Sequence, residues 1–169
     1  MINLIRSSII CSSIILFHKG LIMPTRILLV NGPNLNTLGT REPAIYGHET
    51  LPQIETKCKA AAKKLKLELD CFQSNHEGEI VTTIQQAGKK YQGIIVNAGA
   101  YTHTSVAIMD ALLLLKMPII EVHLSNIFQR DEFRHHSYVS RVAKGVICGL
   151  GSHGYLLALE ALSELLKKK

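Results

Sequence analysis

From Arg26 onward, short apolar runs alternate with longer stretches whose apolar residues recur at helical spacing. The runs Arg26–Val30, Leu67–Phe72, Gly93–Asn97, Pro118–His123 and Gly145–Cys148 predict strands. Four of them are short and rich in Ile, Val and Leu, the composition of strands covered on both faces. The intervening patterns over Thr50–Leu65, Gly78–Lys90, Ser105–Lys116 and Ser152–Lys168 predict helices. Repeated strand–helix units argue for an α/β fold built on an open parallel sheet with helices on both faces.

Five strands suggest a flavodoxin-like three-layer sandwich with strand order 2-1-3-4-5. Ligands of such sheets gather outside the C-terminal strand ends, near the switch point between strands 1 and 3. The polar, glycine-containing segments fall at those ends: NGPNLN after strand 1, NAGAYTHTS after strand 3 and EVHLSN at strand 4. No repeat or low-complexity linker divides the pattern, so residues 23–169 read as one domain.

Residues 1–22 stand apart. Arg6 precedes an apolar stretch from Ile9 to Phe17 that resembles a weak signal peptide, but serines interrupt it and no small-residue cleavage site follows. Met23 opens MPTRILLVNGPN, which reads as a natural start, so the expectation is an over-long start or a poorly ordered extension.

Composition narrows the chemistry. Four cysteines, Cys11, Cys58, Cys71 and Cys148, follow no CxxC or zinc-like spacing, which favours a reducing, cytoplasmic setting. The formal charge is +6, but its lysines cluster as a solvated helix face and tail, and only 5% of residues are aromatic. Nucleic-acid binding is therefore not expected, nor is a membrane partner. Eight histidines include no HExxH, so no metal site is expected. Gly149-Leu150-Gly151-Ser152-His153-Gly154 is a literal GxGxxG, yet only 15 residues follow Gly154, too few for the further strand–helix unit and the acidic residue about 20 positions on that a dinucleotide site requires. A tight strand-to-helix turn explains it better.

Several residues carry sharper expectations. Asn97 closes a strand where its amide can offer a donor and an acceptor to a ligand, and Gly99 permits close backbone approach. His103 follows at the mouth of the sheet, while Thr104 or Ser105 suits a helix cap. Glu121 and His123 are two apart and share a strand face, either as a structural ion pair or as a carboxylate that orients a general acid. Arg130 and Arg134 are four apart, so one helical turn would align them as surface charges or as clamps for an anion. Tyr46 would act as a base at neutral pH only with help. Arg41 in the same loop supplies a guanidinium, and lowering the phenol by two to three units needs about 3–4 kcal/mol.

The segments NGPNLNTLGTREPAIYG, NAGAYTHTS, EVHLSNIFQRDEFRHHS and GLGSHGYLLAL together closely resemble type II 3-dehydroquinate dehydratase, from about Arg26 to Leu166. The resemblance implies anti elimination of water from 3-dehydroquinate to 3-dehydroshikimate without metal or cofactor, a reaction shared by aromatic biosynthesis and quinate breakdown. By position it implies Tyr46 as base assisted by Arg41, Asn34 holding a water near the enolate oxygen, and His123 as acid oriented by Glu121. Asn97, Leu124 and Ser125 would hold the substrate carboxylate region, and His103 and Arg134 the ring hydroxyls. It further implies a homo-oligomer, trimers assembled into a dodecamer, with Asp110 contributing across a subunit contact. Two other classes stay open on the residues alone. A flavin electron carrier is disfavoured by the asparagine-rich first loop and the absence of tryptophan, and a noncatalytic binding domain would use the same cleft without turnover.

Overall fold

The computed structural model describes residues 24–40 and 48–167. Strand β1 (Thr25–Asn31) leads through a 3-10 turn at Leu35–Thr37 to helix α1 (Leu51–Lys64). Then follow β2 (Leu67–Gln73), α2 (Glu77–Ala87), β3 (Gly93–Asn97), a 3-10 segment at Gly99–His103 and α3 (Val106–Leu113). Strand β4 (Ile119–His123), three 3-10 turns (Ile127–Gln129, Glu132–Arg134, Val139–Arg141), β5 (Gly145–Cys148) and α4 (His153–Lys167) complete the order. All pairings are parallel and the sheet order is β2-β1-β3-β4-β5, the flavodoxin-like arrangement that the strand count suggested.

Alternation along β1 builds the three layers. Ile27 and Leu29 pack with α1 and α4, while Leu28 and Val30 pack with α2 and α3. β3 and β4 repeat the division, with Ile95, Ile120 and Val122 on the first side and Ile94, Val96 and Ile119 on the second. Burial on both faces explains why the central strands read as unbroken apolar runs. The edges differ. β5 lies at one edge; Ile147 packs on the α4 side while Val146 on the opposite face is exposed, so the expected cover on both faces fails for this strand.

Element ends follow local chemistry. α1 starts after Thr50, whose backbone N–H donates to Gln53 Oε1 at 2.9 Å, one half of a capping box. Ser105 accepts from the Ile108 N–H at 2.9 Å and caps α3, as its hydroxyl suggested. α2 stops at Ala87, short of the expected Lys90, because Lys90 and Tyr91 both turn back to the Ala87 carbonyl. α3 stops at Leu113 rather than Lys116; Pro118 disfavours helical backbone at the residue before it and starts the approach to β4. No helix among the described residues is long and apolar enough to cross a membrane.

Candidate active site

The register aligns Asn31 with Asn97 and Val96 with Glu121, so the ends of β1, β3 and β4 open into one cleft. The turn after β1 is pressed against the turn after β3. Gly32 N–H donates to the Asn97 carbonyl at 2.8 Å, and a Cβ on Gly32 would stand 2.2 Å from the Ala98 carbonyl oxygen. Only glycine fits there. Asn34 takes a left-handed conformation (φ 65°), which asparagine tolerates better than most residues, and its N–H donates to Asn75 Oδ1 at 2.9 Å.

Asn34, Asn97, His103, His123, Leu124, Ser125, Arg130 and Arg134 all line the cleft, with Leu35, Leu38 and Ile127 supplying apolar wall. Two expectations need correction. The Asn97 amide is largely committed inward: Nδ2 donates to the Tyr155 hydroxyl at 2.7 Å and Oδ1 accepts from Gly99 N–H at 3.3 Å. One Nδ2 hydrogen is left for a ligand. Arg130 and Arg134 do not share a helical turn, because Arg130 and Asp131 are extended and divide two short 3-10 turns; both guanidinium-bearing residues nevertheless reach the cleft. Asp110 is exposed on α3 and is not among the residues lining the cleft. Arg41 and Tyr46 lie outside the described residues.

The charged core of the site is Glu121 and His123. Glu121 is fully buried and His123 is 6% exposed; His123 Nε2 and Glu121 Oε1 are 2.8 Å apart. With Nε2 held by the carboxylate, Nδ1 is the ring nitrogen left for the cleft. Burial pushes the Glu121 carboxyl up, but the bond and charge of His123 together with the Ser137 and Ser140 hydroxyls outweigh it and bring the group down to about 2. The His103 ring lies nearly parallel to that of His123, with centroids 6.4 Å apart, and its Nδ1 donates to the His136 carbonyl at 2.7 Å. Burial holds His103 below its usual range; the His136 carbonyl opposes this, and the charges of His123 and Arg134 add to it. A proton donor, an orienting anion and two cationic side chains thus face one small cavity, an arrangement suited to protonating a leaving group on an anionic ligand.

Several participants carried no local signal. Tyr155 on α4 is fully buried and donates to Asn31 Oδ1 at 2.7 Å while accepting from Asn97. Thr102, Ser137 and Ser140 converge on Glu121. The pair Ser137 and Ser140 inside HHSYVS is a repeat of hydroxyls three apart, the one trace these residues leave in the sequence. The GxGxxG segment is a turn, as expected: Gly149 (φ 85°) and Gly151 (φ 56°) are left-handed, and α4 starts at His153. Among the described residues no three His, Cys, Asp or Glu side chains are grouped to hold a metal.

Known proteins share this chain's sequence and fold. The family model described as dehydroquinase class II matches residues 25–163. The 3-dehydroquinate dehydratase of Brucella canis (strain ATCC 23365) is 54% identical over 147 residues, covering 87% of this chain and 94% of the relative; that of Brucella melitensis biotype 1 matches to the same extent. Among solved structures, the type II dehydroquinase from Propionibacterium acnes superposes with a TM-score of 0.81 at 43% identity, covering 84% of this chain and 98% of that one. The type II dehydroquinase from Butyrivibrio crossotus gives 0.81 at 45% identity over 82% and 97%. A family match over most of the sequence, on a shared fold, means that this chain belongs to the class II dehydroquinases.

Proposed function

We propose that the chain dehydrates 3-dehydroquinate to 3-dehydroshikimate by anti elimination, using side chains alone, as a step of the shikimate route to aromatic amino acids. The observation that carries this reading is the buried Glu121–His123 pair at the wall of a cleft bearing two arginines. Tyr46, as phenolate beside Arg41, removes the proton from the carbon next to the ketone. The electron pair moves into an enolate, whose oxygen is met by a water held by Asn34. The enolate then re-forms the ketone, the carbon–oxygen bond on the adjacent carbon breaks, and His123 delivers its proton so that water leaves. Tyr46 and His123 each end one proton changed, and exchange with solvent restores them.

Glu121 keeps the His123 ring in one orientation and stabilises its cationic form. Asn97, Leu124 and Ser125 hold the substrate carboxylate region, and His103 and Arg134 meet the ring hydroxyls. We also propose trimers assembled into a dodecamer, with Asp110 facing a neighbour's site. Support comes from α3, where Val106, Leu113 and Leu114 are exposed apolar residues on the same side as exposed Asp110. Light scattering on the purified protein tests the assembly.

The test of the activity is turnover of 3-dehydroquinate in chelator, followed by the ultraviolet absorbance of the conjugated product, with Tyr46→Phe in parallel. Activity in the parent with a loss of orders of magnitude in the variant is expected. A folded, assembled parent without turnover refutes the reaction, and equal rates remove Tyr46 from the base role.

A further inference from the structure

Behind His123, on the side away from the cleft, the Glu121 carboxylate is met by three hydroxyls from two other parts of the chain. Thr102 Oγ1 and Ser137 Oγ each lie 2.6 Å from Oε1, and Ser140 Oγ donates to Oε2. Thr102 and Ser137 also touch each other at 2.6 Å, and Ser140 N–H donates to Ser137 Oγ at 3.1 Å. Thr102 and Ser137 are buried. Two further bonds clasp the segments that carry them: Tyr138 N–H donates to the Thr102 carbonyl at 2.8 Å and His103 Nδ1 to the His136 carbonyl at 2.7 Å. Val139, fully buried between the two serines, anchors the clasp in the core.

Buried hydroxyls ordinarily satisfy themselves on nearby carbonyls. Three converging on one carboxylate, from positions 16 to 19 residues distant in the chain, is a donor cage for an anion. Among the described residues, His123 contacts it directly, the His103 ring stacks on that of His123, and Arg134 lines the same cleft; Asp110 on α3 is exposed.

We propose that Thr102, Ser137 and Ser140 are positioning residues that keep Glu121 a carboxylate whether or not His123 carries its second proton. The proton shared by the pair has two possible seats. With the cage intact it rests on the imidazole, so Nε2–H points to Oε1 and the transferable proton sits on Nδ1. Without the cage the carboxylate loses its donors and takes the proton from Nε2, which leaves a neutral imidazole with Nδ1–H, a far weaker acid. The cage thereby decides which member of the pair is the acid, and it restores the same tautomer after each turnover. The inference deepens the proposed elimination and rests on that reading for its kinetic consequence.

The test uses the full chain labelled with 15N-histidine, with His123 resonances assigned by their loss in His123→Asn. In the parent, Nε2 keeps its proton across the titration and Nδ1 loses one. In Ser137→Ala combined with Ser140→Ala, Nε2 becomes the unprotonated nitrogen near neutral pH. Alongside, kcat falls by about tenfold or more per hydroxyl removed, KM stays within about twofold, and the alkaline limb of the kcat profile moves to higher pH by about one unit, because a carboxylate stripped of its donors makes the pair hold its proton more tightly. Ser137→Thr and Thr102→Ser, which keep the hydroxyl, retain parental kcat, whereas Thr102→Val does not. Should the double variant fail to fold, Ser140→Ala alone, at a half-buried position, gives the same readouts. Unchanged His123 nitrogens with kcat within twofold of the parent overturn the proposal. Because the spectra are read on resting protein, a parent with no turnover sinks the elimination reading while the cage is still judged by the nitrogens.

Discussion

Replacing Tyr155 with phenylalanine removes one oxygen atom and tests how the floor of the cleft is held. That oxygen joins Asn31 Oδ1 and Asn97 Nδ2, both at 2.7 Å. Asn31 is fully buried, Asn97 is 3% exposed and Tyr155 is fully buried. The phenyl ring keeps the packing against α1 and the sheet, so the change is almost wholly polar. It leaves one acceptor and one donor without partners, at about 1–3 kcal/mol each, for a total loss of about 2–6 kcal/mol. Against the middle of the typical stability range, about 10 kcal/mol, that loss leaves the variant folded. With a urea m-value near 2 kcal/mol/M, the unfolding midpoint falls by about 1–3 M with unchanged slope. Asn97 loses its inward anchor as well, so KM for 3-dehydroquinate rises severalfold while kcat changes less. A midpoint within about 0.3 M of the parent and an unaltered KM would refute the reasoning, because the chain of three side chains would then contribute neither stability nor order to the site.

Three further outcomes follow from the same geometry. Gly32→Ala places a methyl 2.2 Å from the Ala98 carbonyl oxygen; the two loops must part, and a stability loss of at least about 2 kcal/mol with a large fall in activity is expected, which a parental urea midpoint would contradict. Glu121 is held at about 2 when folded and ordinarily sits at 4.5, so its contribution is fully present above about pH 4.5 and disappears as pH falls toward 2. The loss is on the order of 3 kcal/mol: urea midpoints of the parent should drop through that window more steeply than those of Glu121→Gln, and parallel curves would remove Glu121 as the cause. Burial pushes the Cys58 thiol up to about 12, with the charges of Glu55 and Glu49 adding to it; alkylation by iodoacetamide at pH 8 should therefore require unfolding, and rapid labelling of the native protein would contradict the burial.

Much of this protein is written locally. The period of apolar residues defines five strands and four helices, because a buried parallel strand and an amphipathic helix each impose a repeat that a reader can count. Once the strands are located, the rule that ligands sit at their C-terminal ends brings Asn97, Glu121 and His123 forward. Ser105 as a cap and Gly149 and Gly151 as turn residues are equally local, since a cap or a left-handed φ depends on the adjoining residues. Arg41 and Tyr46 are legible only as a motif and lie outside the described residues.

Other features required the chain to be folded. Whether β5 is covered depends on sheet order, and its place at the edge exposes Val146. The separation of Arg130 from Arg134 arises from extended backbone between them, which a four-residue spacing does not report. Asn97 offered two hydrogen-bonding groups, and only Tyr155, 58 residues away, decides that one of them turns inward. The same holds for Thr102, Ser137 and Ser140. A hydroxyl in a sequence is compatible with a surface, a cap or a core; what gives it a role is a partner brought within 3 Å by tertiary packing and the removal of competing water. Periodicity is a property of neighbours along the chain, whereas desolvation and hydrogen-bond partnership are properties of neighbours in space, and the chemistry of this cleft depends on both.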